Sequence, residues 1–303
     1  MSNIKASFYQ PEMKSMAYPE YFRQTSDFNG IYSNIEYSFN DIEAEWQIIG
    51  TWVKDISRIS SKKIIYLQQE PPECMLPSKD MLNKVRYAIT PFKLDHNVKQ
   101  YISGTPLPWT YDLNIINCKK SGHITSLASA LDLDGLADKE VPVKNKLCSF
   151  IVSTKSFLPG QKKRVEFAKK IMDHFKNKID YFGFGFNPIE NKKAAIDPYI
   201  YSIAIENSNY DNYWTEKIAD VFLGHSCPIY YGCKNINDYF PNEAYISINI
   251  NNIDACISQI EYALNNSSKL SKKSIELARK KVIDNYNFFQ IITETINKES
   301  KKR

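Results

Sequence analysis

Between Tyr199 and Gly232 the chain reads YIYSIAIENSNYDNYWTEKIADVFLGHSCPIYYG, and this stretch restricts the fold more than any other. Tyr199 to Ile205 is an apolar run rich in aromatic and β-branched residues, interrupted by one serine and one alanine, the composition of a strand buried on both faces. Glu206-Asn207-Ser208 then places polar groups at the carboxyl end of that strand. A polar loop leads to Tyr213-Trp214-Thr215-Glu216-Lys217, which opens a helical pattern running to about His225. Cys227 to Tyr231 is a second short apolar strand, closed by Gly232. Strand, helix, strand predicts a βαβ unit, whose two strands pair in parallel.

In open parallel sheets, ligands sit outside the carboxyl ends of the strands, near helix N-termini that favour anions. Glu206, Tyr213, Glu216 and Lys217 all fall at that edge. A lysine there neutralises phosphate, a carboxylate holds ribose hydroxyls, and a tyrosine stacks or donates a hydrogen bond. Composition alone favours the other reading, an ordinary surface loop carrying a solvated Glu-Lys pair.

The order of the motifs separates these readings. IENS, a short loop, YWTEK and CPIYYG closely resemble the signature of family 10 glycosyltransferases, the α-1,3/1,4-fucosyltransferases. The pattern of that family is YKFxLxFENS, a short loop, YxTEK, a helix, then a strand beginning at a proline and ending in glycine. Here Ile200 stands for the usual lysine and Ile205 for the usual phenylalanine.

Other segments follow from this frame. Trp46 to Val53 fits a strand or a short helix. Lys62 to Leu67 predicts a short buried strand that runs into Gln68-Gln69-Glu70-Pro71-Pro72-Glu73, where proline forces an extended exit. The resemblance makes Glu70, directly before Pro71, the catalytic base, with Glu73 as the neighbouring competitor. Tyr87 to Thr90 is a further strand. Trp109 and Tyr111, beside the loop Gly104 to Trp109, are candidate acceptor contacts; packing beneath their own loop is the other reading. Lys146 to Ser153 predicts a buried strand opening a second domain, followed by a helix over about Lys162 to Asn177. The resemblance assigns Arg164 in that helix to the donor diphosphate, which a guanidinium fork can bind through two oxygens at once. Lys192 and Lys193 precede the central strand and add positive charge. Ile179 to Gly183 matches a strand and tight turn of the family. Ile253 to Leu264 and Ser274 to Tyr286 carry helical periodicity, and the basic tail INKESKKR is expected to fray.

Composition narrows the class. At 303 residues the chain holds one large or two modest domains. A net charge of +5 with dispersed lysines argues against a dedicated nucleic-acid binder. Cys74, Cys118, Cys148, Cys227, Cys233 and Cys256 form no CxxC, and His96, His123, His174 and His225 show no metal-ligand spacing. Asp132-Leu-Asp134-Gly135 lacks the register and terminal glutamate of a calcium loop, so Ser121 to Glu140 reads as an insertion. No apolar run reaches the length of a membrane span and the N-terminus is not a signal peptide. A cytoplasmic protein is expected, whose basic tail makes at most a weak peripheral contact with an anionic membrane.

The expectation is therefore an α/β chain of two facing Rossmann-like domains, the GT-B type of glycosyltransferase. Residues 1–145 would bind the acceptor and 146–303 the nucleotide-sugar donor. The resemblance implies inverting transfer of L-fucose from GDP-β-L-fucose to a GlcNAc or Glc hydroxyl, in an α-1,3 type linkage. Arg164, Glu206, Asn207, Tyr213, Glu216 and Lys217 would hold the donor, without a metal or other cofactor. Two alternatives share these residues: a related inverting transferase using another sugar nucleotide, and a catalytically silent nucleotide- or glycan-binding protein.

Overall fold

The computed structural model of the chain describes residues 3–11, 21–118, 122–126 and 130–301. Two compact units share the sequence. Unit 1 comprises Met1–Pro108, Asn117–Asp138 and Ile283–Arg303; unit 2 comprises Trp109–Ile116 and Lys139–Val282. This differs from a single crossing at residue 145, because a short segment near Trp109 joins unit 2 and the last helix returns to unit 1.

Unit 1 is built on a seven-stranded sheet of β1 (Ile4–Phe8), β2 (Ile31–Tyr32), β3 (Ile35–Phe39), β4 (Trp46–Gly50), β5 (Ile64–Leu67), β6 (Tyr87–Thr90) and β7 (Lys99–Ile102). Its order is β2-β3-β1-β4-β5-β6-β7, parallel throughout except for the edge pair β2 and β3. The ambiguous Trp46 segment is thus a strand, and all five of its residues are buried. Alternation of side chains splits β5 between two cores. Ile65 and Leu67 join Phe8, Tyr37, Trp46 and Ile89 on one face, whereas Ile64 and Tyr66 join Ile49, Met81, Leu82 and Ala88 on the other. The short helix α1 (Lys79–Lys84), capped by Ser78, covers the second face.

After a separate two-stranded sheet, β8 (Asn114–Cys118) and β9 (Gly122–Ser126), the short helix α2 (Leu133–Ala137) follows. Asp132 has no calcium-loop role here. One of its carboxylate oxygens accepts from Gly135 N at 2.9 Å, capping α2, and the other from Asp27 N at 2.7 Å.

Unit 2 contains β10 (Lys146–Ile151), the helix α3 (Pro159–Phe175), β11 (Asp180–Phe182), β12 (Tyr199–Ile205), the helix α4 (Glu216–Leu223), β13 (Cys227–Tyr231) and β14 (Ile246–Ser247). The sheet order β11-β10-β12-β13-β14 is parallel throughout. The run from Tyr199 is the central strand, as its apolar composition requires. Helices α5 (Ile253–Asn265) and α6 (Lys272–Asp284) follow.

The chain ends in α7 (Phe288–Ser300), and here the expected frayed tail is corrected. Phe288, Ile292 and Ile296 recur at four-residue spacing and are at most 1% exposed, packed on the unit 1 sheet. Phe288 lies 5.4 Å from Phe8 and Phe289 lies 4.7 Å from Tyr37, centroid to centroid. Asn287 caps the helix at Phe289 N, and its amide donates to Gln24 O at 2.9 Å. No helix among the described residues is long and apolar enough to cross a membrane.

Candidate active site

In the unit 2 sheet, β10 is followed by β11 on one side and β12 on the other. The two crossovers therefore leave the sheet in opposite directions, and a crevice opens at the carboxyl ends of β10 and β12. A cavity of about 190 Å³ lies there, lined by Ser153, Arg164, Gly183, Lys192, Glu216 and Lys217 among others. Helices α3 and α4 both begin at this edge, so their N-terminal partial charges favour an anion.

Arg164 sits in the second turn of α3 and is 7% exposed. It donates to Asn207 Oδ1 at 2.5 Å and to Ser153 Oγ at 3.3 Å. Its buried Nε–H has no hydrogen-bond partner. An orphaned buried donor costs free energy until an acceptor satisfies it, so this N–H is open to a further acceptor. Burial pushes its pKa down, opposed by the charges of Glu206 and Glu216.

Packing brings α3 to Asn207 at the closest range the backbone allows. A Cβ on Gly160 would stand 1.6 Å from Asn207 O. Gly232 permits a similar approach, since a Cβ there would meet Glu206 Cγ at 2.3 Å. Both glycines follow from this steric demand.

Glu206 is 1% exposed and organises the start of α4. It accepts from Thr215 N at 2.9 Å and Thr215 Oγ1 at 2.8 Å, while Lys217 Nζ lies 3.3 Å away. Burial raises the Glu206 carboxyl above the usual carboxylate range, and Lys217 offsets part of the rise. Thr215 in turn caps α4 by accepting from Lys217 N. Burial would depress the Lys217 ammonium, but Glu206 and Glu216 outweigh it and raise it. Glu216 lies 3.4 Å from Lys217 and 4.0 Å from Lys192. Burial would raise its carboxyl, but these cations hold it at about 2, so it is ionised.

Arg164, Glu206, Asn207, Glu216 and Lys217 are thus brought together. Tyr213 is beside them but 2% exposed, with its ring in the core. Lys192 also reaches the site and pairs with Asp220 at 2.7 Å. Asp220 is a member that the motif pattern does not mark. It is 1% exposed and also accepts from Thr110 N, Thr110 Oγ1 and Tyr111 N. An acidic residue on the apolar face of a predicted helix is the available signal.

Trp109 and Tyr111 are corrected as acceptor contacts. They are 2% and 0% exposed, and Tyr111 donates from its hydroxyl to Asp197 at 2.7 Å. Rings enclosed in this way offer no face to a sugar. Glu70 and Glu73 lie in unit 1, in the loop after β5. Glu70 is half-buried and Glu73 exposed. Gln68 staples this loop by donating from Nε2 to Glu70 O at 2.6 Å and to Met75 O at 2.9 Å. The Tyr66 hydroxyl holds Gln68 from the other side at 2.9 Å. No cluster of potential metal ligands occurs among the described residues.

Two α/β units built on parallel sheets are the architecture of the GT-B class of glycosyltransferase folds. Crystal structures of an α1,3-fucosyltransferase share it: one covers 95% of this chain and 92% of its own at TM-score 0.56 and 17% identity. A second, in complex with GDP-fucose, covers 93% and 91% at TM-score 0.51 and 18% identity. Anabaena HepE in complex with UDP-glucose covers 98% and 99% at TM-score 0.52 and 8% identity, so this likeness speaks for fold alone. Sequence is more particular. Residues 141–272 match the C-terminal domain of glycosyltransferase family 10 (fucosyltransferase). The α-(1,3)-fucosyltransferase FucT of Helicobacter pylori is 30% identical over 79 residues, a match spanning 26% of this chain and 16% of that protein.

Proposed function

We propose that this chain is an inverting fucosyltransferase. It transfers L-fucose from GDP-β-L-fucose to a GlcNAc or Glc hydroxyl of a glycan, in an α-1,3 type linkage. The observation that carries the donor half is the buried Arg164, with one N–H unpartnered, in a family 10 domain. Arg164 and Lys217 take the diphosphate. Lys192 adds charge at the same edge, and the reading assigns Glu216 and Asn207 to hydroxyl groups of the donor.

In the reaction, the acceptor oxygen attacks the anomeric carbon from the face opposite GDP. The bond from that carbon to the phosphate oxygen breaks, and its electron pair leaves with GDP. Glu70 accepts the proton of the attacking hydroxyl, with Glu73 as the competing base. Arg164 and Lys217 stabilise the charge that develops on the leaving diphosphate. Glu206 acts indirectly: its carboxylate is occupied by Thr215 and holds Lys217 at the site.

The test is thermal unfolding with GDP, GDP-fucose, UDP-glucose and a dTDP-sugar, with wild type beside Arg164→Lys. A ligand at one hundred times its Kd stabilises the folded state by about 2.7 kcal/mol. Stabilisation by GDP and GDP-fucose, weakened in the variant, is the expected result. Stabilisation by UDP- or dTDP-sugars instead would replace fucose with another sugar. None with any nucleotide would leave a silent glycan binder.

A further inference from the structure

We propose that Lys192 is a positioning residue for the donor, acting through Glu216 from a mount built by the Trp109–Ile116 segment of unit 2. This rests on the transferase reading above and gives the side chain a role other than phosphate binding.

The geometry starts on α4. Glu216 opens this helix and Asp220 lies one turn further on, so the two carboxylates share a face. Like charges at this spacing repel. Lys192 reaches them from another element, the short 3₁₀ turn Lys192–Ala195 before β12. Its ammonium stands 2.7 Å from Asp220 Oδ2 and 4.0 Å from Glu216 Oε1. No other cation among the described residues pairs with Asp220, and a buried carboxylate is costly to leave unpaired. The ammonium is therefore committed to Asp220 and meets Glu216 from one side.

One segment fixes both ends of this pair. Thr110 N and Tyr111 N donate to Asp220 Oδ1 at 3.0 and 2.9 Å, and Thr110 Oγ1 donates to Oδ2 at 2.7 Å. The same segment holds the turn that carries Lys192. Asn191 Nδ2 donates to Asn114 Oδ1 at 2.9 Å, and the two residues form an isolated antiparallel bridge. Asn191 Oδ1 accepts from Lys193 N at 2.9 Å and caps the turn. Residues 109–116 thus set where the ammonium lies.

Glu216 is less confined, its side chain 20% exposed against 1% for Asp220, so the charges around it decide its place. Lys217 lies 3.4 Å away but shares its charge with Glu206 at 3.3 Å. Lys192 stands between Glu216 and the Asp220 charge. Without it, repulsion drives the freer carboxylate out of the cavity and away from the donor.

A double-mutant cycle between Lys192 and Glu216 tests this, with donor affinity measured by calorimetry on the full folded chain. The donor is GDP-fucose, or whichever sugar nucleotide stabilises wild type. Lys192→Met and Glu216→Gln should each weaken binding by about tenfold, the factor of a charge-assisted hydrogen bond. The double variant should lose no more than either one, because both act on a single contact. Lys192→Arg should restore affinity, and Lys169→Met, an exposed cation on α3, should leave it unchanged. Lys192→Met/Asp220→Asn has no unpaired carboxylate to unfold it and no repulsion to move Glu216, so it should bind nearly as wild type. Additive losses of about a hundredfold, or a weak Lys192→Met/Asp220→Asn variant, would overturn the inference and make Lys192 a direct phosphate ligand. Unchanged affinity in Lys192→Met with a lowered Tm would overturn it in favour of a scaffold role. A donor other than GDP-fucose refutes the fucose assignment and leaves the cycle standing, whereas a wild type that binds no nucleotide refutes both.

Discussion

Lys217→Met separates charge from packing at the centre of unit 2. The methionine keeps the aliphatic stem and removes the ammonium 3.3 Å from Glu206, whose carboxylate is 1% exposed. Breaking a buried ion pair from one side costs about 3–5 kcal/mol. The Lys217 side chain is 25% exposed and the Thr215 bonds to Glu206 survive, so the loss at neutral pH should lie near the lower figure, about 3 kcal/mol. For a unit of this size that lowers Tm by roughly 6–12 °C. The loss must also depend on pH. Burial already raises the Glu206 carboxyl, and without Lys217 the rise grows. The folded variant then retains a proton that the unfolded chain sheds. Its stability is therefore retained below the ordinary carboxylate range and falls as pH rises through the raised folded value. Thermal unfolding from about pH 5 to about pH 8 should show the gap to wild type widening with pH. The double variant Glu206→Gln/Lys217→Met, which removes both charges of this pair, should recover much of the loss. A gap that is the same at both ends of the range would refute the electrostatic reasoning and assign the cost to packing.

The remaining predictions concern chemistry and close packing. Glu70→Gln should lower kcat by about 10²–10⁴-fold, the contribution of a positioned base, while Glu73→Gln changes it only a few-fold; steady-state kinetics with the reverse pattern would make Glu73 the base. Gly160→Ala places a methyl 1.6 Å from Asn207 O, so α3 must shift and carry Arg164 with it. The expected cost is about 3 kcal/mol, with loss of stabilisation by nucleotide; wild-type urea unfolding and nucleotide response would contradict so close a contact between helix and strand.

Much of unit 2 is legible in the sequence because its signals are local. The run from Tyr199 is apolar enough to be a central strand, and it is one. The helical pattern opening within Tyr213 to Lys217 is a helix, which begins at Glu216 behind its Thr215 cap. The fate of Trp109 and Tyr111 is not legible, because an aromatic residue after a proline-rich loop reads the same whether it faces solvent or core. What buries Tyr111 is a distant pair, Asp197 and Asp220, which accept from its hydroxyl and its amide. The tail misleads for a similar reason. Its basic last residues suggest fraying, yet Ile296 is 0% exposed because the sheet of unit 1 supplies a partner for its face.

From the sequence alone come the main strand and helix types of unit 2, the α/β class, the family resemblance of the C-terminal part, and Arg164, Glu206, Glu216 and Lys217 as candidate residues. These are properties of short windows, where periodicity, capping and motif order act within one or two elements. Tertiary structure alone decided that Arg164, Glu216 and Lys217 line the cavity while Glu206 serves the scaffold. Glu206 and Lys217 look equivalent in the chain. In the fold, a buried position commits the first to Thr215, while partial exposure leaves the second at the edge of the cavity. A pocket in unit 1 is likewise tertiary in origin, since Gln10, Gly50 and Gln69 line it only because β1, β4 and β5 lie side by side in a parallel sheet. Strand order is set by long-range pairing, and no local pattern encodes it.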